Sequence, residues 1–168
     1  MVRQDHSLSK MTAVWLLPFV TIIVASSTGG DIAVPLMQVN KTLAIVTAAF
    51  SFTMVLIGLS LACMMITIYL LRLIVHGPPD ISLILSAFIV LGPLGQGGFS
   101  LLASGLNISN LLPTHMGGNF PESPLTGQII YGVCFAGAYL AWSAGFCWVI
   151  IACEWIYCSF GVIDLQHS

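Results

Sequence analysis

Leu-Gly-Pro-Leu-Gly-Gln-Gly-Gly-Phe, residues Leu91 to Phe99, interrupts an apolar run from Ile81 to Ala103 that is long enough to cross a lipid bilayer. A proline removes a helical hydrogen bond, and the hydrocarbon core offers no water to satisfy the freed carbonyl group. Such interruptions persist where the backbone packs against protein or borders a water-filled cavity. We therefore expect this segment to face a polar path or a packed helix interface, not lipid.

The composition is that of an integral membrane protein. Of the 168 residues, 58% are hydrophobic and 6% are charged, and the mean hydropathy is +1.02. An average soluble domain has about 25% charged residues. The net charge of −2 gives no basis for binding nucleic acid. We predict that the chain lies in a lipid bilayer and has no nucleic-acid partner.

Four apolar runs predict an all-α, polytopic membrane fold made of two helical hairpins. The runs cover about residues 11–34, 42–75, 81–104 and 125–160, and each can span a hydrocarbon core of about 30 Å. The proline- and asparagine-rich residues 106–124 are predicted to form a surface loop. The chain thus divides into an N-terminal segment, residues 1–10, a transmembrane domain, residues 11–162, and a C-terminal tail, residues 163–168.

The distribution of basic residues predicts the orientation in the membrane. Arg3, Lys10 and Arg72 fall on the side that holds both termini, whereas Lys41 falls on the opposite side. Because cytoplasmic segments near membrane helices carry an excess of Lys and Arg, the N- and C-termini are both predicted to be cytoplasmic.

Polar features of the first and third spans are the candidate solute path. A buried glutamine beside a proline needs several hydrogen-bond partners, which a pore or binding cavity supplies. The third span carries no Asp, Glu, Lys or Arg, and the first carries only Asp31, at its edge. Selectivity would therefore come from N–H groups, hydroxyls and pore width. The candidate residues are Pro18, Ser26, Ser27, Thr28, Gly29, Gly92, Pro93, Gly95, Gln96, Gly98 and Phe99. An alternative is that the hydroxyls bond to their own helix and the glycines allow close helix packing.

No pattern indicates an enzyme, a cofactor or a metal site. The histidines fall in predicted tails and loops, at His6, His76, His115 and His167. The five cysteines fall in or at the ends of apolar runs, without a CxxC pair or an interleaved histidine.

Two long segments resemble a known family of membrane transporters. LLPFVTIIVASSTGG, Leu16 to Gly30, and LGPLGQGGFSLLASG, Leu91 to Gly105, are similar to segments of the tellurite-resistance/dicarboxylate transporter family, also described as voltage-dependent anion channels. That family includes fungal sulphite efflux pumps, fungal malate permeases and plant slow anion channels. The resemblance is closest to the fungal sulphite pumps and covers the chain from His6 to about Phe160.

The resemblance implies an architecture larger than this chain. Family members have ten transmembrane helices in five hairpins around a central pore and commonly form homotrimers. This chain resembles helices five to eight. Spans one and three would then be inner helices, kinked at Pro18 and Pro93, and spans two and four outer helices. The family's phenylalanine gate, on its ninth helix, would lie beyond Ser168, so we expect a partial copy of the fold.

The resemblance implies the export of a small anion, sulphite, across the plasma membrane, and the candidate residues would line its pore, with no cofactor. One alternative is a C4-dicarboxylate (malate) permease. Another is a truncated copy that does not transport by itself. A third is a non-transporting tetraspan scaffold that packs through the glycines and alanines of span four.

Overall fold

The computed structural model describes residues 13–77, 87–116 and 121–166. A short 3-10 helix at Ala13–Leu16 leads into α1 (Leu17–Leu36), which is followed by α2 (Lys41–His76), α3 (Leu91–Met116) and α4 (Ser123–Gln166). These give four spans that are long and apolar enough to cross a membrane. The predicted all-α, four-span fold is confirmed. The predicted N-terminal segment, residues 1–10, lies outside the described residues.

Both candidate prolines lie in the first turn of an α-helix. Pro18 is the second residue of α1, and Pro93 is the third residue of α3, which follows a 3-10 turn at residues 87–90. In the first turn the missing N–H costs nothing, because N–H groups there have no partner within the helix. Each proline therefore marks the change from a 3-10 turn to an α-helix, and neither interrupts the middle of an α-helix.

The third helix continues where the sequence indicated a loop. It extends to Met116, so the loop prediction is wrong for residues 106–116. Polar side chains that suggested a loop are satisfied by helix carbonyls: Asn107 donates to Gly30 at 2.8 Å, and Ser109 donates within α3 at 3.0 Å. Similarly, α4 runs to Gln166, into the predicted C-terminal tail.

The helices form two antiparallel hairpins, α1 with α2 and α3 with α4. Helix α3 is the central element, because it packs against all three others. Glycines set the closest approaches: an ideal Cβ built on Gly58 would lie 2.8 Å from Cγ1 of Ile23, and one built on Gly105 would lie 2.7 Å from Cβ of Cys134. The absence of these side chains lets neighbouring helices pack closely, as is common in membrane proteins.

A buried cluster ties α4 to the start of α3. Trp148 donates its indole N–H to the carbonyl of Ala87, in the 3-10 turn before α3, at 2.9 Å. Its ring lies 5.9 Å from that of Tyr69 and meets Trp155 edge-on at 6.5 Å. A buried tryptophan usually finds such a partner for its N–H. The cluster fixes the level at which α3 begins relative to α2 and α4.

Candidate functional site

Among the residues that the structure describes, three side-chain hydrogen bonds join α1 to α3. They run from Gln96 Nε2 to Ser27 Oγ (2.9 Å), from Ser100 Oγ to the Ile23 carbonyl (3.2 Å) and from Asn107 Nδ2 to the Gly30 carbonyl (2.8 Å). Hydrogen bonds between membrane helices contribute about 0.6 kcal/mol on average and up to about 1.7 kcal/mol. The row therefore sets the relative register of α1 and α3 while leaving most of their association to packing.

The hydroxyl patch of α1 has its protons engaged by backbone carbonyls. Ser26 faces α2 and donates to the carbonyl of Ser51 at 2.7 Å. Ser27 and Thr28 both donate to the carbonyl of Val24, at 2.9 Å and 3.1 Å. A hydroxyl has one proton and two acceptor lone pairs. In this arrangement the three hydroxyl oxygens can still accept hydrogen bonds but do not donate to a solute.

Exposed residues of α1 and α3 share one surface, on the side away from α2. Helix α2 packs against both helices: a Cβ on Gly29 would overlap the Ser51 hydroxyl, and one on Gly97 would lie 2.6 Å from Cδ1 of Leu59. Helices α1, α2 and α3 thus form a triangle in cross-section. The surface opposite α2, here called the open face, contains Val24, Thr28, Asp31, Gly92, Gly95 and Phe99, all exposed.

The predicted path residues separate into two groups. On the open face are Thr28, Gly92, Gly95 and Phe99, with Gln96 half-buried at its edge beside Ser27. Within helix interfaces are Ser26, Ser27, Gly29, Pro93 and Gly98. Pro18 is exposed at the start of α1, about 15 Å along the helix axis from Thr28. The structure therefore brings part of the predicted set to one surface and places the rest between helices.

A groove of about 350 Å³ borders the open face between α3 and α4. Its walls include Gly95 and Phe99 of α3 and Phe135, Tyr139 and Trp142 of α4. The aromatic side chains of α4 make this groove apolar. The α4 wall of the groove suits an apolar helix or lipid chains better than a hydrated ion, whereas Gly95 and Phe99 on the α3 wall also belong to the open face.

Sequence reasoning missed two polar residues of the α1–α3 interface, Ser100 and Asn107. With Gln96 they recur at helical spacing along one side of α3, which is a signal that the sequence contains. Asn107 was concealed because its surroundings indicated a loop. Within the described ranges, no group of three or more His, Cys, Asp or Glu residues could hold a metal ion.

The sequence matches known membrane proteins over most of its length. The voltage-dependent anion channel family model matches residues 1–163. The chain is 35% identical over 152 residues to the sulphite efflux pumps of Trichophyton rubrum and Arthroderma benhamiae, covering 90% of this chain and 39% of each pump. It is 36% identical over 129 residues to the sulphite efflux pump of Candida albicans, covering 77% of this chain and 24% of that pump. No solved structure matches significantly.

Proposed function

This chain belongs to the voltage-dependent anion channel family, and we propose that it takes part in the export of a small anion, sulphite, across the plasma membrane. The chain spans 39% of the length of the first pumps that it matches. The proposal therefore assigns to α1 and α3 one sector of the anion path. The names of the similar proteins support sulphite as the transported species and export as the direction.

The observation that carries the proposal is the open face. It combines the polar side chains of Thr28 and Asp31 with Gly92 and Gly95, where no side chain covers the helix, and Gln96 lies at its edge. At membrane depth, polar and ionisable side chains face other protein or a water-filled cavity, not lipid. A surface of this kind on two adjacent helices is best explained as one wall of a hydrated path.

Transport along this wall needs no covalent step and no bound cofactor. No Lys or Arg lies among the open-face residues, so an anion meets hydrogen-bonding groups without a strong opposite charge. Conduction requires binding that is favourable enough for entry and weak enough for release. The anion would move down its electrochemical gradient, and the ring of Phe99, the largest side chain on the open face, would narrow the path.

The proposal includes an orientation and an assembly. Both termini are placed in the cytoplasm, since three of the four basic residues fall on that side. A homotrimer, implied by the family resemblance, would use surfaces outside the open face. The exposed apolar residues of α2 and α4 are available for lipid or for such contacts.

Efflux of sulphite from cells that express the chain tests the proposal. Gly95→Leu adds a side chain on the open face, where a Cβ meets nothing within 4 Å, so the variant should fold and obstruct the path. Gly132→Leu is the matched control, because a Cβ there also meets nothing within 4 Å and the site lies on α4. We expect Gly95→Leu to lose most of the efflux and Gly132→Leu to retain it.

The same assay separates the alternatives. Export of malate without export of sulphite would indicate a dicarboxylate permease. If cells that express the unmutated chain release neither anion faster than empty-vector cells, transport by this chain is contradicted. That result would favour the scaffold or the non-transporting copy.

A further inference from the structure

Gln96, at the edge of the open face, has a side-chain N–H that can donate a hydrogen bond to a solute. The hydroxyls of Ser27 and Thr28 both donate to the carbonyl of Val24. One amide proton of Gln96 bonds to Ser27, and its second proton and carbonyl oxygen have no hydrogen-bond partner among the described residues. A solute at this point therefore meets one free N–H donor surrounded by acceptor oxygens.

The orientation of the Gln96 amide follows from the bonding of Ser27. Amide oxygen and nitrogen atoms are assigned from the hydrogen-bond network. The single Ser27 proton is donated to the Val24 carbonyl at 2.9 Å, and Ser27 Oγ then accepts from Gln96. In this hydrogen-bond network the atom of Gln96 that lies 2.9 Å from Ser27 Oγ is the amide nitrogen Nε2. In this arrangement the second N–H and the carbonyl oxygen lie on the remaining, partly exposed side of the amide.

A carboxyl group lies near this donor on the same surface. Asp31 is exposed on α1, one helical turn beyond Ser27, or about 6 Å along the helix axis. The other charged or titratable side chains described in α2, in α4 and in the turn before α4 do not belong to the open face; they are Lys41, Arg72, His76, Glu122 and Glu154. An anion beside Gln96 is thus repelled by Asp31, and a dianion is repelled about twice as strongly as a monoanion.

We propose that Gln96 is the residue that selects the transported anion, and that it favours an oxyanion carrying its own proton, hydrogen sulphite, over the sulphite dianion. An oxygen of the anion accepts the free N–H of Gln96. The O–H of the anion donates to one of the acceptor oxygens, Gln96 Oε1 or Thr28 Oγ1. The dianion has no proton to offer these oxygens. This inference rests on the proposed function, since it specifies the form of the anion that the path accepts.

Thermal unfolding of the full, detergent-solubilised chain tests this selection. A ligand that binds the folded state raises the unfolding midpoint in a concentration-dependent way. We expect sodium sulphite to give a saturable rise of the unfolding midpoint when it is titrated at constant ionic strength and at a pH below the second pKa of sulphurous acid. At a pH above that pKa the half-saturating concentration of sulphite should increase about tenfold or more, which corresponds to about 1.4 kcal/mol of binding free energy. Sulphate, which stays dianionic at both pH values, should have little effect.

Variants at Gln96 distinguish selection from structure. Gln96→Leu and Gln96→Met remove the amide, and methionine keeps the length of the side chain, so a fold defect in one variant leaves the other informative. Both should lose the sulphite-dependent rise. Ser100→Ala is the matched control: it also removes a bond between α1 and α3 but retains Gln96, so it should keep the rise. Asp31→Asn should reduce the difference between the half-saturating sulphite concentrations measured at the two pH values.

The results separate this inference from the proposed function. A rise that survives in both Gln96 variants, or an equal rise with sulphate, would overturn the selection by Gln96. Sulphite efflux without any sulphite-dependent rise would overturn it as well. A rise that depends on Gln96, in a chain that does not transport sulphite, would support the binding site and contradict the proposed transport.

Discussion

Gly105 shows how a single missing side chain permits the contact between α3 and α4. An ideal Cβ at this position would lie 2.7 Å from Cβ of Cys134 and 3.6 Å from Cα of Tyr131. These atoms belong to, or adjoin, the backbone of α4 and cannot rotate away. The two helices would have to separate to accept even a methyl group. Gly105 thus fixes the distance between the two helices of the second hairpin.

We predict that Gly105→Ala destabilises the protein. Overpacking a close contact typically costs about 1–3 kcal/mol, which outweighs the higher helix propensity of alanine. Thermal unfolding in detergent, followed by the loss of helical circular dichroism, measures the effect. Gly132→Ala is the control, since its Cβ would meet nothing within 4 Å. Equal midpoints for the two variants would show that α3 and α4 do not pack as described.

At the scale of helices, α3 shows what the sequence could and could not reveal. Its glycine-rich beginning, with one proline and one glutamine, marked it as special, and hydropathy predicted a membrane span through its middle. Its end was missed because Asn107 and Pro113 are common in loops. Whether Asn107 is satisfied depends on the Gly30 carbonyl of another helix, which is distant in sequence. Such a partner becomes visible only when α1 and α3 are placed side by side.

The hydrogen bond of Asn107 gives a prediction for the α1–α3 interface. Asn107→Leu removes the donor to Gly30 and should lower the free energy of unfolding by about 0.6–1.7 kcal/mol. Asn110→Leu, at an exposed position on the same helix, should change it less. Unfolding of both variants in the same detergent makes the comparison. A larger loss in the Asn110 variant would contradict the placement of Asn107 between the helices.

Trp148 gives a second prediction at this scale, for the link between α4 and the start of α3. Trp148→Phe keeps an aromatic ring beside Tyr69 but leaves the Ala87 carbonyl without its indole donor. Loss of a buried hydrogen bond of this kind costs about 0.5–1.5 kcal/mol. Trp142→Phe is the control, because Trp142 is 59% exposed. A thermal midpoint that falls only in the Trp142 variant would contradict the proposed link.

For the molecule as a whole, the sequence was sufficient to predict the fold class but not to predict which residues form the candidate site. Low charge and four apolar runs predicted the membrane fold, because burial in lipid imposes composition and length directly. The candidate path was predicted from residue types alone. Which of these residues share a surface depends on how α2 packs against α1 and α3, and hydropathy carries no such information. Ser26 and Thr28 illustrate this: they are close in sequence, but Ser26 faces α2 and Thr28 lies on the open face.

Orientation is the property of the whole chain that can be tested without knowing the solute. The side of the membrane that holds both termini is predicted to be cytoplasmic, because it has three basic residues, Arg3, Lys10 and Arg72, and the other side has only Lys41. In bacteria, a green fluorescent protein fused after Ser168 should fluoresce, whereas alkaline phosphatase fused there should be inactive. The control is a fusion after Val39, which is 84% exposed in the turn between α1 and α2 and should give the opposite pattern. Active phosphatase at the C-terminus would reverse the orientation, and α1 and α3 would then begin on the outer side of the membrane.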